Sequence, residues 1–484
     1  MTAILALAPC AVILCAIFVL RFSALSAAAC AMFSALVLWG MGIFAPSSAD
    51  QLGRAVVDAL VLELLVGVVI FFGLLFVEMT WRDENVRSID DTIRALDLSP
   101  AKTVILVTLG IGVTLESLTG YGVSMLVTVP LLIRIVPRNR AITLALLGMS
   151  LMAWGALSVA ALLGAELAGL SSRAMGQAIV TTSGPVAALL PLACWAVTPG
   201  SRPRDAIFAL WAGAALCGGI WTTSSWFGAE LAGVGGGLAV IAFTLCFVRS
   251  KSALSEAAIM PILRPFATLI AVVAAQKLIA PFVTSSGFTP EIATNRVTFR
   301  VLESPGLALF IVILANLVLE GRTARMLEFI RSVKTVIHRS WRVLASLMLF
   351  LTTARLLVET GGIDELSGLL IQSGKSSIAL AVVLLGGIGA YATGSGITSN
   401  ALFMASAAAI GKNVDAISLF AALQHSAASH AAMAALPVIA LLVAALPDCQ
   451  SDDTRRAMRS GLILAGLWTI AVATSGLVQL HWPS

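Results

Sequence analysis

Glu116 is the residue in this chain best placed to do chemistry. It opens the run Glu116-Ser-Leu-Thr-Gly-Tyr-Gly-Val-Ser124, which interrupts an apolar segment. A second interruption, Thr393-Gly-Ser-Gly-Ile-Thr-Ser-Asn-Ala-Leu-Phe403, sits in equally apolar surroundings. A charge at the centre of a bilayer costs about 3 kcal/mol or more unless it is paired or hydrated. Glu116 is therefore either a proton-binding, substrate-proximal acid or an acid that caps the free amides of a broken helix. Gly120, Gly122, Gly394 and Gly396 let the backbone open and approach a ligand. Tyr121, Ser124, Thr393, Ser395, Thr398, Ser399 and Asn400 supply hydroxyls and an amide beside them. Helix N-termini at such breaks carry unbonded N–H groups and partial positive charge, which suit a carboxylate. The same small residues would also permit close helix packing. His425 and His430 flank Ser426 and Ser429. Histidine titrates near neutral pH, so His425 reads either as a proton-coupling group or as a packed, hydrogen-bonded side chain. Five residues apart on a helix, the two rings face different directions, which argues against a shared metal. No metal or cofactor is expected.

The surroundings that position these groups are membrane helices. Of 484 residues, 59% are hydrophobic and 11% charged, with a mean hydropathy of +0.99. A soluble domain is nearer half apolar and a quarter charged. Apolar runs of about twenty residues, each able to cross a bilayer, predict helices over 3–20, 25–45, 55–80, 141–163, 177–197, 206–225, 229–248, 266–286, 305–320, 341–360, 416–446 and 457–480. The runs 102–133 and 377–411 are too long for one straight span, and each holds an interruption. Irregular backbone at bilayer depth survives only where protein buries it or water lines it. Both read as re-entrant hairpins, or equally as pairs of full spans. The first apolar run has no basic residue before it and Arg21 after it, the wrong order for a cleaved signal peptide, so it reads as the first span. The charged segments 81–102 and 321–340 read as loops.

Lysine and arginine set the orientation. With the N-terminus outside, one face receives Arg21, Arg82, Arg87, Arg94, Lys102, Arg134, Arg138, Arg140, Arg202, Arg204, Arg249, Lys251, Arg264, the basic residues of 322–342, Arg455, Arg456 and Arg459: 22 of the 30 basic residues. The other face receives Arg54, Arg173, Arg296, Arg300, Lys375 and Lys412. The basic side is cytoplasmic on this reading, and the net charge of +5 reflects orientation, not nucleic-acid binding. The fold class is an all-α polytopic membrane protein of about 12 transmembrane helices plus two re-entrant hairpins in an inverted-topology repeat. Residues 1–200 form the first repeat, 201–260 two linking spans and 261–484 the second. Such repeats place a transporter's site where their broken helices meet near the midplane.

Other polar residues carry two readings each. Arg355, four residues before Glu359, is a carboxylate grip or an i,i+4 ion pair. Lys277 is similar. Glu63 is a second proton site or a satisfied contact in the bundle. The hexapeptide Gly-Ala-Glu-Leu-Ala-Gly occurs at 164–169 and 228–233, which an alanine-rich chain can produce by coincidence. The basic run 322–342 reads as a loop facing lipid headgroups. The seven cysteines (10, 15, 30, 194, 217, 246, 449) form no CxxC and read as small buried hydrophobes.

At its two interruptions the chain resembles the bacterial lactate permease family. Glu116, Gly120 and Gly122 match that family's first signature, with Tyr121 for Phe and Ser117 and Ser124 for Gly and Pro. Thr393, Gly394, Ser395, Ser399, Asn400, Ala401, Leu402 and Phe403 match the second, with Thr398 for Ser, Ile397 for Thr and Gly396 for Asp. Where the family carries a downstream Lys, this chain has Met433, so two opposite charges are missing together. The resemblance implies a divergent member that takes up L-lactate or glycolate by proton symport. The alternative is a carrier of another organic anion, conceivably sodium-coupled. No Walker motif suggests an ATP-driven pump and no intramembrane catalytic cluster suggests an enzyme. The expected partners are a small organic acid anion, a proton and the lipid bilayer, with no nucleic acid; a homo-oligomer is compatible. The expected location is the bacterial cytoplasmic (inner) membrane.

Overall fold

A computed structural model of the chain describes residues 2–81, 83–248, 256–319, 322–447 and 450–482. Arg82, Arg249, Lys251 and Cys449, used in the sequence reading, lie outside these. The chain is helical almost throughout. Three helices open it: α1 (Ala8–Phe18), α2 (Ala24–Gly40) and α3 (Ala49–Thr80). Ser48 starts α3 with a capping box, its hydroxyl accepting from the Gln51 amide and Gln51 reaching back to the Ser48 amide. An amphipathic helix α4 (Asp83–Ala95) follows, then α5 (Pro100–Thr119), with a π-helical stretch at Leu106–Ile111, and α6 (Val123–Ile135). Next come α7 (Arg138–Met149), α8 (Gly155–Ala168) and α9 (Ser172–Val197). Helices α10 (Pro203–Phe227) and α11 (Ala232–Leu245) link to α12 (Glu256–Ser285), α13 (Pro305–Leu319) and α14 (Arg322–Glu359). A short helix α15 (Gly362–Ile371) precedes α16 (Lys375–Thr393) and α17 (Gly396–Asn413). Then follow α18 (Ile417–Ala432), α19 (Leu436–Ala444) and α20 (Ser451–His481). Among the described residues, eight helices are long and apolar enough to cross a membrane, and ten if two bent pairs each count as one span. The pairs are α7 with α8, bent by 42°, and α18 with α19, bent by 40°. Shorter apolar helices, α1, α2, α11 and α13 among them, accompany these.

One order of elements occurs twice: three helices, two arms around an interruption, a bent pair and a final helix. The arms return to the end they start from. Ser99, just before α5, donates to Asp205 at the start of α10 (3.2 Å), and Arg134 in the last turn of α6 pairs with Asp90 of α4. Both sit at the end where Arg138 of α7 meets Asp453 of α20 at 2.7 Å. The far end of α20, 28 residues on and about 42 Å away at 1.5 Å per residue, carries His481, 3.2 Å from Ser376 at the start of α16. At that far end α17 finishes, where the Asn413 amide donates to Ser367 of α15 (3.3 Å). The two pairs of arms thus enter the bundle from opposite ends.

Three expectations are corrected. The segment 81–102 is not a loop over Asp83–Ala95: Ile89 and Ile93, one turn apart, are both buried and hold α4 on the bundle, with Asp90 between two arginines. The basic segment 321–340 is not a loop over its described residues: from Arg322 it belongs to α14, which runs unbroken to Glu359. The run 141–163 is not one straight helix but breaks over Ser150–Trp154. The connection after α12 contains a small antiparallel hairpin, β1 (Glu291–Ala293) with β2 (Thr298–Arg300), in which Ile292 faces Phe299.

Candidate substrate site

The first interruption is held open by Glu116. The side chain is 3% exposed. One carboxylate oxygen accepts from the Gly122 amide at 3.2 Å and the other from the Ser124 hydroxyl at 2.7 Å. The carboxylate therefore caps the start of α6, whose first amides have no partner within the helix. Between the arms, Gly120, Tyr121 and Gly122 all have positive φ (68°, 56° and 73°). Gly120 must be glycine, because a Cβ there would lie 2.4 Å from Cβ of Ala156. The Tyr121 hydroxyl is buried without a hydrogen-bond partner.

What presses on Gly120 is unusual backbone. Ala156, Leu157 and Ser158 at the start of α8 all sit in the left-handed region (φ 51°, 52° and 55°). Such a residue costs about 1–2 kcal/mol. The Ser158 hydroxyl pins this turn by donating to the Ala229 carbonyl at 2.6 Å. The break just before it frees carbonyls, and α18 of the other unit satisfies them: the ring of His425 meets the Ala153 carbonyl at 3.0 Å, and that of His430 meets the Ser150 carbonyl. A carbonyl only accepts, so Nε2 of His425 donates. Its Nδ1 then accepts from the Asn400 amide at 2.9 Å, while the same amide nitrogen donates to the Ala160 carbonyl at 2.8 Å. Both nitrogens of His425 are in use, and the ring is fully buried.

The second interruption is simpler. Gly394 takes a left-handed turn (φ 78°) after α16 and Ser395 caps α17, its hydroxyl accepting from the Thr398 amide at 3.4 Å. Thr393 donates to the Gly389 carbonyl at 2.8 Å. Ser399 donates to the Gly386 carbonyl at 2.8 Å and accepts from Gln424.

Both interruptions line one cavity of about 370 Å³. It brings together Glu116, Gly120, Tyr121 and Gly122 with Thr393, Gly394, Ser395, Gly396 and Thr398. The breaks of both bent pairs reach it too, through Met152, Gly155 and Ala156 and through Ala432 and Pro437. Ser124, Ser399, Asn400 and His425 do not line it; they form the hydrogen-bonded layer behind its wall. Sequence reasoning missed Arg339, which lines the cavity from α14 with Ser340, Val343, Ser346 and Leu347. The helical spacing of 339, 343 and 346 was the available signal.

The other polar residues find different partners from those the sequence suggested. Arg355 pairs with Asp58 of α3, both nearly fully buried, while Glu359 receives Arg54 and Arg296. Glu63 keeps one buried oxygen without a partner. Glu166 and Glu230, one from each copy of Gly-Ala-Glu-Leu-Ala-Gly, line a second, smaller pocket of about 110 Å³ with Lys277 and Arg300. There Glu230 holds Lys277 and the Ser172 hydroxyl, and Glu166 accepts from the Thr298 amide of β2. This pocket lies farther along α8 than the central cavity, toward its C-terminal end.

A family model described as L-lactate permease matches residues 2–259 and 251–479. The chain belongs to the L-lactate permease family. A search of curated proteins finds no significant match. The permease family identifies the chain as a multi-pass membrane transporter, with lactate as the family's cargo. Within this permease the two motif regions, 269 or more residues apart in sequence, meet in one cavity, although Gly396 there presents no side chain at all.

Proposed function

We propose that this protein takes up a small monocarboxylate, such as L-lactate or glycolate, by proton symport across the bacterial cytoplasmic membrane. The observation that carries the reading is the shared cavity: two opposed hairpin tips, one bearing Glu116 and the other a helix N-terminus, face the same space. The first-turn amides of α17, Gly396 and Ile397, have no partner within their helix and point a partial positive charge at the cavity. They suit the carboxylate. The unpartnered Tyr121 hydroxyl and the hydroxyls of Thr393 and Ser395 suit the substrate's own hydroxyl. Glu116 is the proton site: protonated, it keeps the Gly122 bond through its carbonyl oxygen and can donate to Ser124. His425 acts as a structural clamp on the broken helix, since both its nitrogens are occupied.

Residues 1–200 and 261–484 work as two inverted units, with 201–260 as the link. The central cavity reaches the surface at the basic, cytoplasmic end, where the Arg339 side chain is 64% exposed. At the other end the Glu230–Lys277 pair and the Glu166–Thr298 bond close the bundle, so the arrangement is inward-facing. The test is uptake of radiolabelled L-lactate and glycolate into proteoliposomes with an acidic exterior. Accumulation above equilibrium that a protonophore abolishes supports the reading. Uptake that follows a sodium gradient at fixed pH and ignores the proton gradient overturns the symport.

A further inference from the structure

Arg339 has a position that its place in a basic run does not explain. It is one turn before Val343 and two before Ser346 and Leu347, and all of these face the central cavity. Among the described residues lining that cavity, it is the one cation. Its partner is Glu78 at the end of α3, which takes one terminal nitrogen at 2.9 Å. A guanidinium has five N–H donors in a planar fork, so the Glu78 contact leaves most of them free. The Glu116 carboxylate in the same cavity is supplied with donors by its own hairpin and does not compete for Arg339.

We infer that Arg339 is a substrate-contacting residue: it takes the monocarboxylate's charge at the cytoplasmic mouth, and Glu78 competes for the same guanidinium to release it. The inference rests on the monocarboxylate reading above and adds the residue that discriminates anion from neutral analogue. Among the described residues lining the cavity, a carboxylate leaving the amides of α17 meets no other fixed cation. Arg339 offers a two-pronged hydrogen bond matched to carboxylate geometry. The Glu78 pair, when it reforms, leaves the departing anion to water. Glu78 thereby keeps the mouth from retaining its cargo.

The test measures lactate counterflow separately in inside-out and right-side-out vesicles, for the wild type, Arg339→Gln, Arg339→Lys and Glu78→Gln. An exposed ion pair is worth up to about 1 kcal/mol, or about a fivefold change in affinity. Arg339→Gln should raise the cytoplasmic-side KM for lactate about threefold, Arg339→Lys less, and Glu78→Gln should lower it, each with little change in the outer KM. Lactamide, which has no charge, should inhibit wild type and Arg339→Gln equally. A purely structural role for the pair would move both variants in the same direction, and that result overturns the inference. So does an unchanged cytoplasmic KM in Arg339→Gln. If the wild type exchanges no monocarboxylate at all, the functional reading falls, and this inference with it.

Discussion

Replacing Glu116 separates its two roles, because glutamine and alanine affect them differently. In Glu116→Ala the Gly122 amide and the Ser124 hydroxyl both lose a buried acceptor. Each unsatisfied group costs about 1–3 kcal/mol, so the hairpin tip loses about 2–6 kcal/mol together with its shape. In Glu116→Gln the side-chain oxygen still accepts from Gly122. Its amide donates to the Ser124 oxygen, and the Ser124 hydrogen can turn toward the Met149 sulfur, already 3.4 Å away. The loss is then that of a charged acceptor against a neutral one, about 1 kcal/mol. Thermal unfolding in detergent, followed by size exclusion, should place Glu116→Gln near the wild type and Glu116→Ala well below it. In proteoliposomes Glu116→Gln should exchange lactate across the membrane but fail to accumulate it against a gradient. If Glu116→Gln accumulates lactate under a proton gradient as the wild type does, Glu116 is a cap only and the coupled proton binds elsewhere.

Three further outcomes are expected. Gly120→Ala combines a disfavoured backbone conformation with a Cβ 2.4 Å from that of Ala156; strain and overpacking together cost about 2–6 kcal/mol, so the variant should express poorly, and a wild-type melting temperature would contradict the left-handed turn. Single cysteines at the exposed positions Arg140 and Lys412 should react with impermeant reagent from opposite faces of the membrane, and labelling from one face would remove the inverted arrangement. Gly396→Asp alone should impair transport, because it places a carboxylate beside the proposed substrate carboxylate, and adding Met433→Lys should restore part of the activity. A Cβ at Gly396 lies 3.4 Å from the Ser429 hydroxyl, one helical turn from Met433, so the two new charges can meet; equal activity of the single and double variants would move the substrate away from this tip.

The apolar runs and both interruptions were legible because each depends on local sequence, and the opposed insertion of the arms followed from the distribution of lysine and arginine along the chain. At both interruptions a glycine in the left-handed region turns the chain, and the breaks at Gly120–Gly122 and Gly394–Ser395 fall within the two motifs. The break over Ser150–Trp154 was not legible, since no proline or glycine pair marks it and its freed carbonyls are satisfied by histidines 272 and 280 positions away. The same holds for charge partners. Arg355 was matched to Glu359 by spacing along one helix, yet Asp58, 297 positions away, reaches it across the bundle. Charge normally marks solvent, so the charged segments read as loops. In α4 and α14 the charges instead line one side of a helix whose other side packs, and in α14 that placement brings Arg339 to the cavity.

The polar ties also sort the bundle into two bodies. Helices α7 and α8 are bonded to α17 and α18 by His425, His430 and Asn400, all fully buried. Separately, α3 is bonded to α14 along its length, by Arg54–Glu359, Asp58–Arg355 and Glu78–Arg339. Where these bodies face one another across the cavity, the residues from α3 and α14 are mostly apolar: Ile70, Leu74, Val343 and Leu347. Sliding along an apolar face breaks no hydrogen bonds, whereas separating His425 from the Ala153 carbonyl would leave a buried polar pair unsatisfied, at about 1–3 kcal/mol for each group. Alternating access should therefore move the motif-bearing body as a unit against α3 and α14, with the Glu166–Thr298 bond and the Glu230–Lys277 pair opening at the far end. A cysteine cross-link joining α8 to α18 should leave lactate exchange intact, and one joining α8 to α3 should arrest it. Arrest by the first cross-link and turnover with the second would place the moving surface inside the hydrogen-bonded body and refute the division.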